Sequence, residues 1–376
     1  MDFSLTEEQE MLKKMARDFL ETESPKTLVK EMVRDERGYP PELWKKMADL
    51  GWTGLILPEE YGGTGNSFLD LVVLLEETGR GCLPGPFFST AVGTIALLEA
   101  ASKAQQQELL PQIAEGSLIV TIAVTEPSAR YDAEAIKVTA TQSGDEYVIE
   151  GTKLFISDAH VADWLIVVTR TSEDADPTNG ITLLLVDAKS PGINVTPLVT
   201  IAGDKQCEVI FDKVKVPAKN ILGEKDKGWP IVDRVLQKAT IGLCAQMVGG
   251  AQQVLEMSVD YAKERVQFGR PIGSFQAIQH HCANMSIDVD GCRFITFQAA
   301  WRLTEGMSAT KEVAMAKAWC SDAFRRVTVL GHQIFGGIGF IEDHDMPLYF
   351  KRAKAWEVLF GDTTVQQEII AQELGL

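Results

Sequence analysis

The sequence predicts an α+β protein with an N-terminal all-α domain, a middle antiparallel β domain and a C-terminal four-helix-bundle domain. Helical periodicity and capping signals fill the first and last parts of the chain. The segment between them consists of short, β-branched runs separated by turn residues. We expect the three domains to span residues 1–116, 117–223 and 224–376.

The first domain carries clear helix boundaries. Thr6 and Gln9 form a capping box, in which each side chain can bond to a backbone amide of the other residue. A second helix is expected to begin at Pro41, where a missing amide costs nothing, and to end at Gly51. A glycine-rich loop then precedes a third helix, so the domain is mostly helical.

Strand patterns dominate the middle of the chain. Its apolar runs are short, and Gly144 and Asp145 separate two alternating runs as a hairpin turn does. The last of these runs ends near Pro217. We therefore expect an antiparallel β domain in this segment.

The last domain contains long helical stretches, at about 230–267, 274–305 and 311–335. Short connections between long helices favour an antiparallel bundle. Gly269 and Pro271 end the first of these helices, and Ser274 is expected to cap the second.

The elbow between these two helices is a candidate binding site. Arg265 and Gln276 flank it, and Phe268 lies at its centre. A guanidinium beside a helix N-terminus suits a phosphate-bearing ligand. The alternative is an ordinary helical hairpin whose arginine faces solvent.

Composition excludes several classes of function. The chain has 376 residues and a formal net charge of −17, and no basic stripe that would bind nucleic acid. It contains no apolar run long enough to span a bilayer, and its acidic start does not resemble a targeting peptide. The six cysteines form no C-x-x-C pair, and no metal site is expected. A cytoplasmic protein with reduced thiols is therefore expected.

Five separated stretches together resemble the acyl-CoA dehydrogenase flavoprotein family, from about Thr6 to the C-terminus. In chain order they are Ile122–Pro127, Gly151–Ser157, Phe211–Pro217, Arg265–Gly269 and Gln333–Phe340. The resemblance implies FAD held between the β domain and the helical bundle, and completed by a second subunit. It also implies an acyl-CoA substrate, an electron-transfer flavoprotein as electron acceptor, and a homo- or hetero-oligomer built as a dimer of dimers.

The resemblance assigns the flavin ring to the β domain. Val124 and Thr125 match positions where backbone and hydroxyl meet the pyrimidine edge of the flavin. Phe155 and Ser157 match an aromatic wall and a hydroxyl near flavin N5. Core packing is the competing interpretation of Phe155, and of Phe268 in the last domain, when each is taken alone.

The same resemblance assigns the rest of FAD to the last domain. Arg265, Phe268 and Gln276 match positions that hold the pyrophosphate and adenosine across a dimer interface. Gln333 and Gly337 match positions where backbone approaches the cofactor closely, which glycine tolerates best.

The chain departs from the family at the catalytic base. Family members remove the α-proton with a carboxylate while hydride leaves for the flavin, and the base is commonly a glutamate in a turn near the C-terminus. Phe360 stands at that position here, and Ala239 stands at the alternative position on the preceding long helix. Asp362, two residues further on, is the candidate for a relocated base; capping of the following helix is the competing role.

A second departure lies at residues 128–132, where the family commonly has a glycine-rich run that touches the substrate. Arg130 is bulky and could bind a phosphate of coenzyme A or a substrate carboxylate. A solvated loop residue is an equally good interpretation.

Three hypotheses of function remain open. The first is a flavin dehydrogenase that desaturates a coenzyme A thioester with a relocated base. The second is a subunit without a base that completes the FAD site of a heteromeric acyl-CoA dehydrogenase. The third is a related flavoenzyme, such as an oxidase or a desulfinase, that does not need the usual glutamate.

Overall fold

The computed structural model describes residues 4–376 and confirms the predicted order of a helical part, a central β part and a second helical part. The first helices are α1 (Glu7–Glu23), α2 (Lys26–Arg34), α3 (Pro41–Asp49), α4 (Phe68–Gly81), α5 (Phe87–Ala100) and α6 (Lys103–Ala114). The last helices are α7 (Trp229–Glu264), α8 (Gln276–Thr304), α9 (Thr310–Phe335), α10 (Met346–Val358) and α11 (Thr363–Glu373). The capping box of Thr6 and Gln9 is present at the start of α1.

The central sheet is mixed, whereas the sequence predicted an antiparallel one. Its strands are β1 (Val120–Ala123), β2 (Thr139–Ser143), β3 (Glu146–Ser157), β4 (Trp164–Arg170), β5 (Ile181–Asp187), β6 (Ile193–Leu198), β7 (Gln206–Pro217) and β8 (Ile221–Leu222). The order is β6-β7-β3-β2-β4-β5-β8, and β1 pairs with β4 in parallel. β2 also meets β4 in parallel, at one pair of residues. Alternation in a sequence reveals which face a residue takes but not the direction of the neighbouring strand.

The chain divides into two compact units. The helical unit comprises the residues up to Glu31, Ser67–Leu83 and Ala239–Leu376; the β unit comprises Met32–Asn66 and Pro84–Lys238. α7 runs through the point of division. The three domain boundaries expected from the sequence stay a prediction.

Close packing of α4 against α7 organises the helical unit. A Cβ atom added at Gly249 would lie 1.8 Å from the carbonyl oxygen of Glu76. One added at Gly79 would lie 2.1 Å from the carbonyl oxygen of Gln246. The two backbones therefore touch at positions where a side chain would push them apart.

A buried carboxylate fastens α5 to the sheet of the β unit. Ser89 on α5 donates a hydrogen bond of 2.6 Å to Oδ2 of Asp158, which follows the end of β3. Asp158 has a φ of 56°, a left-handed conformation that aspartate and asparagine tolerate better than most residues. Burial raises the pKa of Asp158 to about 7.

Within residues 4–376, no helix combines the length and the apolar character that crossing a membrane requires.

We predict that Asp158→Asn stabilises the protein above neutral pH. Because folding raises the pKa of Asp158, protonation favours the folded state at low pH, and this contribution is lost as pH rises from about 4 through about 7. Asparagine carries no charge and can still accept the bond from Ser89. Thermal melts should show the variant gaining on the wild type with rising pH, by roughly 3 to 6 °C at pH 8.

Asp260→Asn is the control, because Asp260 is exposed and forms a surface pair with Lys263. The difference between its melting temperature and that of the wild type should stay constant across the same pH range. A constant difference between Asp158→Asn and the wild type from pH 5 to pH 8 would contradict the assignment.

Candidate functional site

The site residues predicted from the sequence fall into both units. Val124, Thr125, Phe155 and Ser157 lie in the β unit, as does Arg130. The helical unit contains Arg265, Phe268, Gln276, Gln333, Gly337, Ala239, Phe360 and Asp362.

The structure brings four of these five β-unit residues, all except Arg130, together on two adjoining segments. One segment is the loop that leaves β1, with Val124 and Thr125, and the other is the end of β3. The Leu154 amide donates to the Thr125 carbonyl at 2.9 Å, and the Thr121 hydroxyl donates to the Ser157 carbonyl at 2.9 Å. These bonds fix the loop against β3 although the two strands are not paired in the sheet.

A buried ion pair lies beneath this surface. Lys153 is 0% exposed, and its ammonium donates to Glu126 Oε1 at 2.8 Å and to the Val124 carbonyl at 2.9 Å. Glu126 is also buried and accepts bonds from the amides of Lys137 and Val138. Burial lowers the pKa of Lys153 to about 8. One cation thus sets the path of the loop that carries Val124 and Thr125.

A β-bulge turns Phe155 outward. The pairing of β3 with β7 shifts register between Lys153 and Ile156, and Phe155 has a φ of 59°. Phe155 is 40% exposed, while Lys153 and Ile156 point into the core. Bulges that re-aim a side chain are frequent beside active sites. A bulky residue with positive φ is an outlier, and such strained positions are frequent at functional sites.

The elbow after α7 is a tight hairpin in the structure. β9 (Val266–Gln267) pairs with β10 (Arg270–Pro271), and Phe268 and Gly269 between them both have positive φ, 55° and 80°. Two left-handed residues joining two strands are typical of a type I′ turn. The Ile272 amide closes the elbow by donating to the Arg265 carbonyl at 2.8 Å.

The side chains of the elbow face outward. Phe268 is 91% exposed, and Arg265 and Gln276 are exposed as well. Arg265 forms no ion pair with any carboxylate of residues 4–376. The expectation that Ser274 caps α8 is wrong, because its hydroxyl donates to the Pro271 carbonyl at 2.7 Å and the N-cap is Phe275. An exposed aromatic beside an unpaired guanidinium is a surface suited to a ligand or a second chain.

Gln333 and Gly337 lie beside the elbow within the helical unit. The Tyr261 ring near the end of α7 contacts the Phe335 ring at the end of α9, with centroids 4.6 Å apart. Gln333 and Gly337 are exposed, and a Cβ atom at Gly337 would meet nothing within 4 Å in this chain. Any demand for glycine at this position therefore comes from a molecule outside the chain.

Hydrogen bonds hold the turn at Phe360 on both sides. This is the turn in which the resemblance places the family's usual base. Buried Lys317 donates to the carbonyls of Trp356 and Glu357 at 3.1 and 2.9 Å. Gln366 donates to the Phe360 carbonyl at 2.8 Å on the other side. Phe360 has a φ of 60°, which costs a residue with a side chain about 1 to 2 kcal/mol.

Asp362 caps α11. Its Oδ1 accepts a bond of 3.0 Å from the Val365 amide, and the residue is exposed. Glu357, the other carboxylate near the turn, pairs with Lys354 at 3.2 Å and with Arg325 at 3.6 Å. Ala239 is buried on α7. Each nearby carboxylate thus already has a structural role.

Arg130 is engaged within its own loop. Its guanidinium bonds to Asp132 at 2.7 Å and to Glu134 at 3.0 Å, and all three side chains are largely exposed. A substrate anion would have to displace one of these carboxylates.

Within the described residues, no group of three histidine, cysteine or acidic side chains comes together as a metal site. The six cysteines are free thiols, and all but Cys282 are buried.

Family models match almost the whole chain. The N-terminal, middle and C-terminal domain models of acyl-CoA dehydrogenase match residues 6–117, 121–214 and 226–375. An acryloyl-CoA reductase (NADH) from Anaerotignum propionicum is 37% identical over 100% of this chain and 96% of its own length.

Two solved structures show the same fold. Butyryl-CoA dehydrogenase from Megasphaera elsdenii matches with a TM-score of 0.93 and 32% identity over 100% of both chains. A chain of the ChsE4-ChsE5 complex from Mycobacterium tuberculosis matches with a TM-score of 0.91 and 30% identity, over 100% of this chain and 99% of that one.

We predict that Lys153→Met destabilises the protein and disrupts the surface above the ion pair. It leaves the Glu126 charge buried with only backbone amides as donors, which costs about 3 to 5 kcal/mol. The melting temperature should fall by about 10 °C.

Two controls separate the ion pair from general damage. Lys227→Met removes one partner of an exposed pair with Glu224 and should change stability by less than about 1 kcal/mol. The double variant Lys153→Met/Glu126→Gln removes both charges and should recover much of the loss. A Lys153→Met protein that melts within 1 or 2 °C of the wild type would show that the pair does not support this region.

Proposed function

The chain belongs to the acyl-CoA dehydrogenase family, and from that membership we propose that it is an FAD-dependent oxidoreductase acting on the Cα–Cβ bond of a coenzyme A thioester, with its acid–base group outside the family's usual position. FAD is the family's cofactor. The observation that carries the proposal is the surface of Thr125, Phe155 and Ser157, which the Lys153–Glu126 pair and a β-bulge build in the β unit.

The residues on this chain fit FAD. Thr125, which is buried, and Ser157, which is half-buried, bring hydroxyls to the same two adjoining segments that carry the outward Phe155 ring. In the helical unit, Arg265 has no carboxylate partner within the described chain, and Gly337 leaves space for a closely approaching group. A guanidinium is the side chain best suited to a pyrophosphate. We assign Arg265, Phe268 and Gln276 to the pyrophosphate and adenosine, and Gln333 with Gly337 to the adjoining backbone contact.

When bound, FAD supplies the acceptor of hydride in the oxidative direction and the donor of hydride in the reductive direction. The chain's own part is to hold the thioester and to move one proton at its α-carbon. Asp362 is the carboxylate that we propose for this proton. Its Oδ1 is occupied by the cap, whereas Oδ2 is not used in that bond.

We propose an electron-transfer flavoprotein as the redox partner and an assembly of at least two copies. The exposed elbow supports the second point, because Phe268 is 91% exposed next to Arg265. Val266 on the same elbow is 52% exposed, and adjoining exposed apolar side chains favour coverage by another chain. Because one relative is named as an acryloyl-CoA reductase, the proposal covers both desaturation and reduction of the Cα–Cβ bond.

A second function is favoured because the usual base positions carry no carboxylate and the nearby carboxylates already form other bonds. Phe360 and Ala239 occupy the two usual positions of the base, Asp362 caps a helix, and Glu357 is paired. A chain with this arrangement could be the partner, without a base, of a subunit that has one. The similarity to a chain of the ChsE4-ChsE5 complex supports this alternative.

Reduction of bound flavin by substrate separates the two functions. The protein expressed alone should carry FAD, and its visible absorption should bleach anaerobically on addition of linear, branched and cyclic acyl-CoA esters in turn. Bleaching by any ester establishes the first function. Flavin that dithionite bleaches but no ester does would favour the partner subunit. Protein that neither retains nor takes up FAD when expressed alone would contradict the first function. The second function would be contradicted if the isolated chain turned over an ester without a partner subunit.

We predict that Asp362→Asn lowers turnover by about 10²- to 10⁴-fold, because it removes the proton acceptor. Asparagine caps a helix as well as aspartate does, so the melting temperature should not change. If the Asp362→Asn variant turns over substrate as fast as the wild type, Asp362 only caps α11 and is not the base. Asp362→Ala measures that role separately, with an expected loss of about 1 kcal/mol of stability.

A further inference from the structure

A cleft in the helical unit lies apart from every residue assigned above to cofactor or catalysis. It has a volume of about 470 Å³ and lies among the end of α1, the start of α2, the end of α4, the last third of α7 and the segment before α10. The lining residues that matter here are Leu20, Ser24, Lys26, Arg80, Gln253 and Met257. The volume is that of a site for a small molecule.

Lys26 brings an unneutralised positive charge to this cleft. Its ammonium donates to the carbonyls of Gly81 and Arg80 at 2.7 and 3.3 Å. It forms no ion pair with a carboxylate anywhere in residues 4–376. Burial lowers the pKa of Lys26 accordingly. A half-buried cation whose hydrogen bonds go only to neutral carbonyls is stabilised by an anion.

Two further donors in the cleft are without a partner. The Ser24 hydroxyl is buried, with its residue 1% exposed, and has no hydrogen-bond partner among the described residues. The Nη1 atom of Arg80 is likewise buried and unpaired, while its Nη2 atom binds Glu256 at 2.6 Å. Leaving such a group unsatisfied costs about 1 to 3 kcal/mol, and more when it is charged.

The carboxylates around the cleft are engaged or exposed. Glu77 is held by Arg17 at 2.8 Å, and Asp345 is held by Lys30 at 2.7 Å. Glu21 and Asp343 are exposed at the mouth. The unused hydrogen-bonding capacity inside the cleft therefore belongs to donors, and α2 adds the positive end of its dipole at Lys26.

The geometry points to a binding site for a small phosphate-bearing molecule, whose phosphoryl group accepts from Ser24, Lys26 and Arg80. Lysine, arginine, a hydroxyl and a helix N-terminus are the groups that proteins combine for phosphate. Leu20 and Met257 supply an apolar wall for the rest of the molecule.

Titration calorimetry on the FAD-loaded protein tests this site, with inorganic phosphate and glycerol 2-phosphate as probes at constant ionic strength. Ser24→Ala should weaken binding at least fivefold without loss of folding, because the hydroxyl has no partner to lose. Lys26→Met should weaken it further. Lys14→Met removes the same charge from an exposed position on α1 and should bind as the wild type does.

Tighter binding of the ester than of inorganic phosphate would identify a phosphate monoester as the natural ligand, and equal binding would identify free phosphate. The proposal fails if the wild type binds neither probe, or if Ser24→Ala and Lys26→Met both bind with wild-type affinity. Neither result depends on the catalytic function proposed above.

Discussion

The ion pair between Lys153 and Glu126 is the interaction on which the rest of the β-unit site depends. It is buried and hydrogen-bonded on both sides, so each charge is compensated. By also holding the Val124 carbonyl, Lys153 joins the loop after β1 to a strand that is not its neighbour in the sheet. The bulge that follows Lys153 then turns Phe155 outward while the cation stays in the core. Removing the pair would therefore displace both segments of the site at once.

The sequence predicted the order of elements well because its signals are local. The capping box at Thr6, the proline at position 41 and the β-branched runs each report on a few neighbouring residues. The five motifs added the family, since their order along the chain is itself information. The parallel pairing of β1 with β4 escaped prediction, because strand direction depends on contacts between residues far apart in sequence.

The site was predicted as a set of residues but not as a geometry. Lys153 lies within the Gly151–Ser157 stretch that carries the family resemblance. A lysine between apolar strand residues was the signal in the sequence that could have indicated a buried ion pair. The hairpin at Phe268 and the bulge at Phe155 were not predictable, because both place a phenylalanine at positive φ against its intrinsic preference. Tertiary structure imposes these conformations, and strain of this kind collects at functional sites.

The turn at Phe360 shows how this chain differs chemically from what its family suggests. Lys317 and Gln366 hold the backbone of the turn, and φ stays positive although the residue is an aromatic. The turn thus combines a strained, left-handed backbone with the absence of a carboxylate at its centre. Asp362 is close in sequence but caps α11, so a role in proton transfer would have to coexist with that bond. The question of the base is therefore separate from the question of whether the chain holds FAD.

A structure of the purified, FAD-loaded protein would decide whether the proposed residues of the β unit and of the helical unit hold FAD. We predict the isoalloxazine ring against Thr125 and Ser157, and the phosphates within hydrogen-bond distance of Arg265 from a neighbouring copy. FAD bound at another place, or an Arg265 that points into solvent while Thr125 and Ser157 contact only protein, would show that these residues do not hold the cofactor.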